Sequence, residues 1–165
     1  MKDLLQNLIE ALREELKEYG EMLALLDHQQ QTVMHRQTQD LLQYAAAINS
    51  QAQTITAARL EREQHQRHIA CWLCLPEQSP LGALVPRFPV EYQPLAQALV
   101  QENNELLTRV LQRARQNHLL LSRVTELMQR IIGSLFPAAA QPAAYNDAGQ
   151  RYASPPHRSV YDAIG

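Results

Sequence analysis

The residues best equipped for chemistry stand together in one short stretch. Cys71-Trp72-Leu73-Cys74 is a Cys-x-x-Cys, and His65 and His68 precede it at the same spacing of three. Thiolate and imidazole are favoured zinc ligands, and paired thiols also form redox couples. On a helix the geometry works against one shared metal. Each step of three turns the side chain by about 300°, and the four positions spread over about 13 Å along the axis. A tetrahedral zinc needs every ligand within about 2.3 Å. No second Cys or His pair waits elsewhere, and a redox motif needs a βαβ setting of which there is no strand pattern. The reading is therefore two structural cysteines buried around Trp72.

Nucleophilic chemistry finds no footing. There is no Gly-x-Ser-x-Gly elbow and no Gly-rich phosphate loop, and His28, His35, His118 and His157 fall on loops or polar helix faces. The acids of the first helix read as an exposed face rather than a convergent pair. The expectation is a binding protein without catalytic residues, cofactor or metal.

The elements that carry these residues are helical. Among 165 residues glycine numbers 5 and aromatics make up 5%. Leu, Ala and Gln dominate instead, as in long helices packed through narrow seams. A net charge of −2, from 15 basic and 17 acidic residues, offers no concentrated basic surface for nucleic acid or anionic lipid. No apolar run reaches the roughly 18 residues of a membrane span, and the start lacks the pattern of a secretory signal. Two cysteines make no disulfide framework. A cytoplasmic protein is expected.

Hydrophobic stepping marks three helices. Leu5, Ile9, Leu12, Leu16, Tyr19, Leu23 and Leu26 alternate steps of four and three, the repeat of a coiled-coil seam. Leu8 and Met22 widen the stripe toward a second neighbour. Glu10, Arg13, Glu14, Lys17, Glu18 and Glu21 form the opposite, solvated face, and Gly20 suggests a close backbone approach. The first helix spans about 3–35. Thr38 is the expected N-cap of a second, about 38–75, with Leu41, Ala45, Ile48, Ala52 and Ile55 in its seam. These form a hairpin over 1–75. Five prolines and Gly82 make 76–94 a long connection of the kind that is functional or mobile. A third helix, 95–136, follows, and Pro137 closes it. Residues 137–165 lack a stripe and read as a flexible tail. The tail carries Tyr145-Asn146-Asp147-Ala148-Gly149 and Tyr161-Asp162-Ala163-Ile164-Gly165, both Tyr-x-x-x-Gly. The expected fold is all-α, an elongated antiparallel three-helix coiled coil or bundle.

Two features of the third helix point to binding. Asn103, Arg113 and Asn117 interrupt its seam. They serve either as register markers, the favoured reading, or as a face open to a partner. Acid-rich helix 1 and base-rich helix 3 should also pair laterally. Farther on, Leu120, Leu121, Val124, Leu127, Met128, Ile131, Ile132 and Leu135 exceed what a three-helix bundle needs to bury. Such a surplus receives an amphipathic helix or closes a homodimer.

The order of these pieces resembles the FlgN family of flagellar export chaperones. The resemblance rests on the leading amphipathic helix, the Thr38-Gln39-Asp40-Leu41 turn and the polar stretch Arg59 to Arg67. It continues through Glu102-Asn103-Asn104-Glu105-Leu106-Leu107 and the Tyr145 to Gly149 motif, the most specific part being Asn-Asn-x-Leu-Leu followed by Tyr-x-x-x-Gly. It implies a cytoplasmic type III export chaperone for the hook–filament junction proteins (FlgK and FlgL types). Such a chaperone binds the C-terminal helical region of its cargo, prevents premature assembly and delivers the cargo to the export gate's cytoplasmic domain. By position, Leu120, Val124, Leu127, Met128, Ile131 and Leu135 would hold cargo. Tyr145 and Gly149 would dock the gate, and the second motif, Tyr161 and Gly165, leaves open which serves which partner. The alternative is a structural coiled-coil adaptor or homo-oligomer.

Overall fold

The computed structural model describes residues 2–35 and 38–135, the side chains of 38 and 39 excepted. The chain forms two compact units, Met1–Leu121 and Ser122–Gly165. The described elements are α1 (Lys2–Met34), α2 (Thr38–Trp72), the short α3 (Leu81–Leu84), a 3-10 turn (Val85–Arg87) and α4 (Gln93–Leu135). No strand occurs among the described residues, so the fold is all-α. The capping role of Thr38 and both tail motifs, with Tyr145, Gly149, Tyr161 and Gly165, lie outside the described residues.

In the first unit α1 is the central element. Its seam residues Leu5, Ile9, Leu12, Tyr19 and Leu26 are buried, and so are Leu8 and Met22 beside them. The stripe is too broad for one neighbour, so α1 is covered by two. The α2 helix runs antiparallel to it: His28 stacks on Tyr44, Glu18 meets Gln51, and Glu15 meets Arg62. The α4 helix runs parallel to it, with Asn103 on the Leu12 carbonyl and Asn117 on the Leu26 carbonyl. One core cluster gathers Leu5, Leu8 and Leu12 with Ile69, Ala70, Ala96 and Leu99. A second gathers Tyr19, Met22 and Leu26 with Ile55 and Val110. Each such Leu or Met contributes about 1.5–3 kcal/mol when fully buried.

The 76–94 connection departs from the expected loose loop. Leu84, Val85 and Phe88 are buried in the first cluster against Leu5 and Leu8. Prolines shape this plug rather than loosen it: Pro80 is the extended N-cap of α3 and Pro86 stands in the first turn of the 3-10 segment. Gln93 Nε2 then donates to the Phe88 carbonyl at 2.8 Å and ties the plug to the start of α4.

Helix α2 stops at Trp72, three residues short of the expected end, because Cys74 takes a left-handed backbone (φ 54°). The Cys74 amide donates to the Cys71 carbonyl at 3.0 Å and the Leu75 amide to the Ala70 carbonyl at 2.9 Å. This is the Schellman pattern, with a cysteine where glycine is usual and Leu75 packed back on the core. The turn carries Leu73 and Leu75 inward and Cys71, Cys74 and Trp72 outward. Both cysteines are exposed and Trp72 is 52% exposed, so the expected buried cysteine cluster is corrected.

Gly20 also reads differently in three dimensions. A Cβ built there meets nothing within 4 Å, so no close helix approach requires it. Gly20→Ala should raise stability by about 0.5–1 kcal/mol through lower unfolded-state entropy and better helix propensity. Chemical denaturation would register it as a higher midpoint at unchanged slope. Phe88→Ala should cost about 3–5 kcal/mol in the same measurement, because the ring is only 4% exposed and fills the plug. A loss below about 1 kcal/mol would show the connection to be the loose loop its prolines suggest.

Candidate functional site

A polar network on the α1–α2 seam holds the most concentrated chemistry of the first unit. Glu15 and Glu18 are 4% and 5% exposed, which corrects the reading of the α1 acids as a wholly solvated face. Arg62 Nε donates to Glu15 Oε2 at 2.7 Å, and Tyr19 Oη donates to Glu15 Oε1 at 2.9 Å. Arg59 Nη2 donates to Tyr19 Oη at 2.7 Å, and Gln51 bonds Glu18. Burial pushes the Tyr19 phenol up from its usual range, with the Arg59 hydrogen bond opposing, so it stays a neutral donor. The hydrogen bond to Tyr19 in turn raises Arg59.

These groups border a cleft of about 470 Å³ walled by Leu12, Val100 and Leu107 and roofed by Pro80 to Gly82. What the arrangement can do is structural. Arg62 also donates to Gln66 at 2.6 Å, and Gln66 donates to the Ser79 carbonyl at 2.7 Å. Glu15 is held by Arg62 and Tyr19, so it is occupied in binding α2 rather than poised as a base.

The seam polar residues of α4 act as register markers. Asn103 is 7% exposed and Asn117 3%. Their Nδ2 atoms donate to α1 carbonyls at 3.0 and 2.7 Å, each reaching 91 residues back along the chain. Two heptads separate the pair on both helices, so any slip of α4 along α1 would break both bonds together. Between them Arg113 Nε stands 2.7 Å from Asp27 Oδ1, and Arg113 Nη1 donates to Gln30 at 2.7 Å. The expected electrostatic pairing of α1 and α4 is confined to this contact among the described residues. The α1 acids otherwise pair within α1 or with α2.

In the second unit the described part of α4 has the opposite character. Leu127, Met128, Ile131, Ile132 and Leu135 are each more than half exposed, with Leu135 at 67%, and Val124 is half-buried. No residue of α4 beyond Asn117 is buried. At 100° per residue these six side chains fill one continuous arc of about 140°. Of the expected cargo-binding set, Val124, Leu127, Met128, Ile131 and Leu135 share this arc; Leu120 belongs to the first unit and is half-buried. Contiguous exposed apolar surface of this extent is unusual on a folded protein and marks the arc as a candidate site. Arg123 and Arg130 flank the arc, a feature the hydrophobic pattern alone had passed over but a helical wheel displays.

Among the described residues no three His, Cys, Asp or Glu side chains stand close enough to hold a metal ion. No described helix is long and apolar enough to cross a membrane. No match to this chain is found among curated proteins or among solved structures. The FlgN protein family matches residues 1–153, a range that takes in α1, the plug, the whole of α4 and the Tyr145 motif. With that match over most of the chain, the protein belongs to the FlgN family of flagellar export chaperones.

Proposed function

We propose that this chain is the cytoplasmic export chaperone of the hook–filament junction proteins. It holds their C-terminal helical region on the apolar arc Val124 to Leu135 of α4, prevents premature assembly and hands them to the export gate. Membership of the family supports binding of flagellar hook-associated proteins in general. The observation that carries the finer reading is the exposed arc itself, five large apolar side chains more than half open to solvent on one helix. Their burial against a cargo helix supplies affinity without any bound nucleotide or metal. Coupled ordering keeps that affinity moderate, as a carrier that must release its load requires.

The tail completes the proposal. Tyr145 with Gly149 docks the gate, and Tyr161 with Gly165 offers a second contact of the same kind. A large ring in an Ala- and Pro-rich segment is a suitable anchor for a segment that orders on its partner.

Leu127→Asp should lower affinity for the C-terminal region of the junction proteins about tenfold or more, read by calorimetric titration. Helicity and melting temperature should stay unchanged, because the side chain is 56% exposed. Unchanged cargo affinity would remove the arc from the cargo site. Tyr145→Ala should leave that affinity intact and weaken capture by the gate's cytoplasmic domain in a pull-down. Undiminished capture would take the gate role away from this tyrosine.

A further inference from the structure

We infer that the apolar arc of α4 selects an amphipathic helix bearing carboxylates along one edge of its apolar seam, and disfavours a second copy of itself. The inference rests on the arc's being a docking face, and concerns what kind of helix the arc accepts.

The arc has unequal borders. Taking Leu127 as origin, Arg123 and Arg130 lie about 40–60° outside it on one side. The other side, beyond Ile132, is bordered by uncharged Thr125 and Gln129. Both arginines are exposed, and no ion pair or hydrogen bond engages their side chains among the described residues. The acid of this segment, Glu126, stands three residues from Arg123 and four from Arg130, on the side of the arginine row away from the arc, and among the described residues forms no ion pair with either. Seven residues separate Arg123 from Arg130, so the two charges stand about 10 Å apart along one edge. In a two-helix seam such flanking positions face the flanking positions of the partner and set partner choice. Guanidinium groups there are met best by carboxylates, which they bind in a two-pronged geometry that ammonium cannot match.

The same charges bear on self-association. Packing two copies antiparallel brings like edges together, so the arginine row meets the arginine row. Packing them parallel sets each arginine against the uncharged border. Neither arrangement pairs opposite charges, and one opposes like charges, so the segment discriminates against its own copy while leaving the apolar seam available.

The test uses the full-length protein and three designed helical peptides with one Leu/Ile seam. They carry Glu, Gln or Lys at two positions seven residues apart along one edge. Anisotropy titration at low salt should rank them Glu over Gln over Lys, with Glu about fivefold tighter than Gln, and the gap should close near 0.5 M salt. An R123Q/R130Q variant should lose the discrimination yet keep its affinity for the Gln peptide, and R123K/R130K, which keeps the charge without the two-pronged geometry, should restore only part of it. Equal binding of the Glu and Gln peptides would overturn the charge selection and leave apolar docking standing. Failure of all three to bind at tens of micromolar would overturn the docking reading and this inference with it. A dimer of the wild-type protein that Leu127→Asp dissociates, seen by sedimentation, would place a second copy on the arc and overturn the exclusion of self.

Discussion

The breadth of the α1 stripe governs the first unit. A helix that shows Leu5, Leu8, Ile9 and Leu12 around one side, and Tyr19, Met22 and Leu26 farther along, cannot hide them under a single neighbour. Two helices must flank it, and they do so by different means. The α4 helix brings its own heptad row, Ala96, Leu99 and Val110, and joins the apolar cores. The α2 helix has far less to bury, chiefly Ile55, Ala58, Ile69 and Ala70. Its middle is held instead by Gln51, Arg59 and Arg62 reaching across to Glu18, Tyr19 and Glu15 of α1.

Polar atoms at these seams provide alignment more than net stability. A buried carboxylate bound by arginine gains little over a well-packed apolar pair, but it is costly to leave unpaired, so only one register satisfies it. The Asn103 and Asn117 amides act likewise toward the Leu12 and Leu26 carbonyls. An apolar heptad seam repeats and could be entered at several offsets. Two amides that must each find a main-chain carbonyl remove that freedom. The plug of Leu84, Val85 and Phe88 then closes the end of the unit, where the helices begin and end.

Division of labour follows from this economy of contacts. At the α1–α2 seam of the first unit Glu15, Tyr19, Arg59 and Arg62 bond one another, so the cleft they border holds groups already engaged in joining the two helices. On the described part of the second unit, apolar groups and two arginines have no such employment. Export chaperoning requires a surface that stays apolar in water without collapsing on itself. In the proposed reading, the arginines bordering the arc serve that requirement, since they would penalise self-pairing while admitting a complementary helix.

Much of this was legible in residue order. The four–three stepping of Leu5 through Leu26 declared a seamed helix, and the surplus of Leu127, Met128, Ile131 and Ile132 was visible as an excess over what a bundle needs, because periodicity is a local property. The family resemblance was legible for the same reason: it rests on stretches of contiguous sequence. What faces what is not local. Sequence spacing gave Asn103 and Asn117 two roles, and only the parallel α1–α4 register placed a carbonyl under each amide. Glu15 and Glu18 belong to an acidic face by composition, yet become buried because α2 lies over them with matching Gln and Arg side chains. Prolines around Leu84 and Phe88 signalled a loop, and only packing against Leu5 and Leu8 made it a plug. Cys71 and Cys74 turned outward through a left-handed residue that apolar patterning does not announce. Periodicity fixes which side of a helix is apolar; which neighbour covers it depends on contacts between residues far apart in the chain, and those exist only once the helices have met.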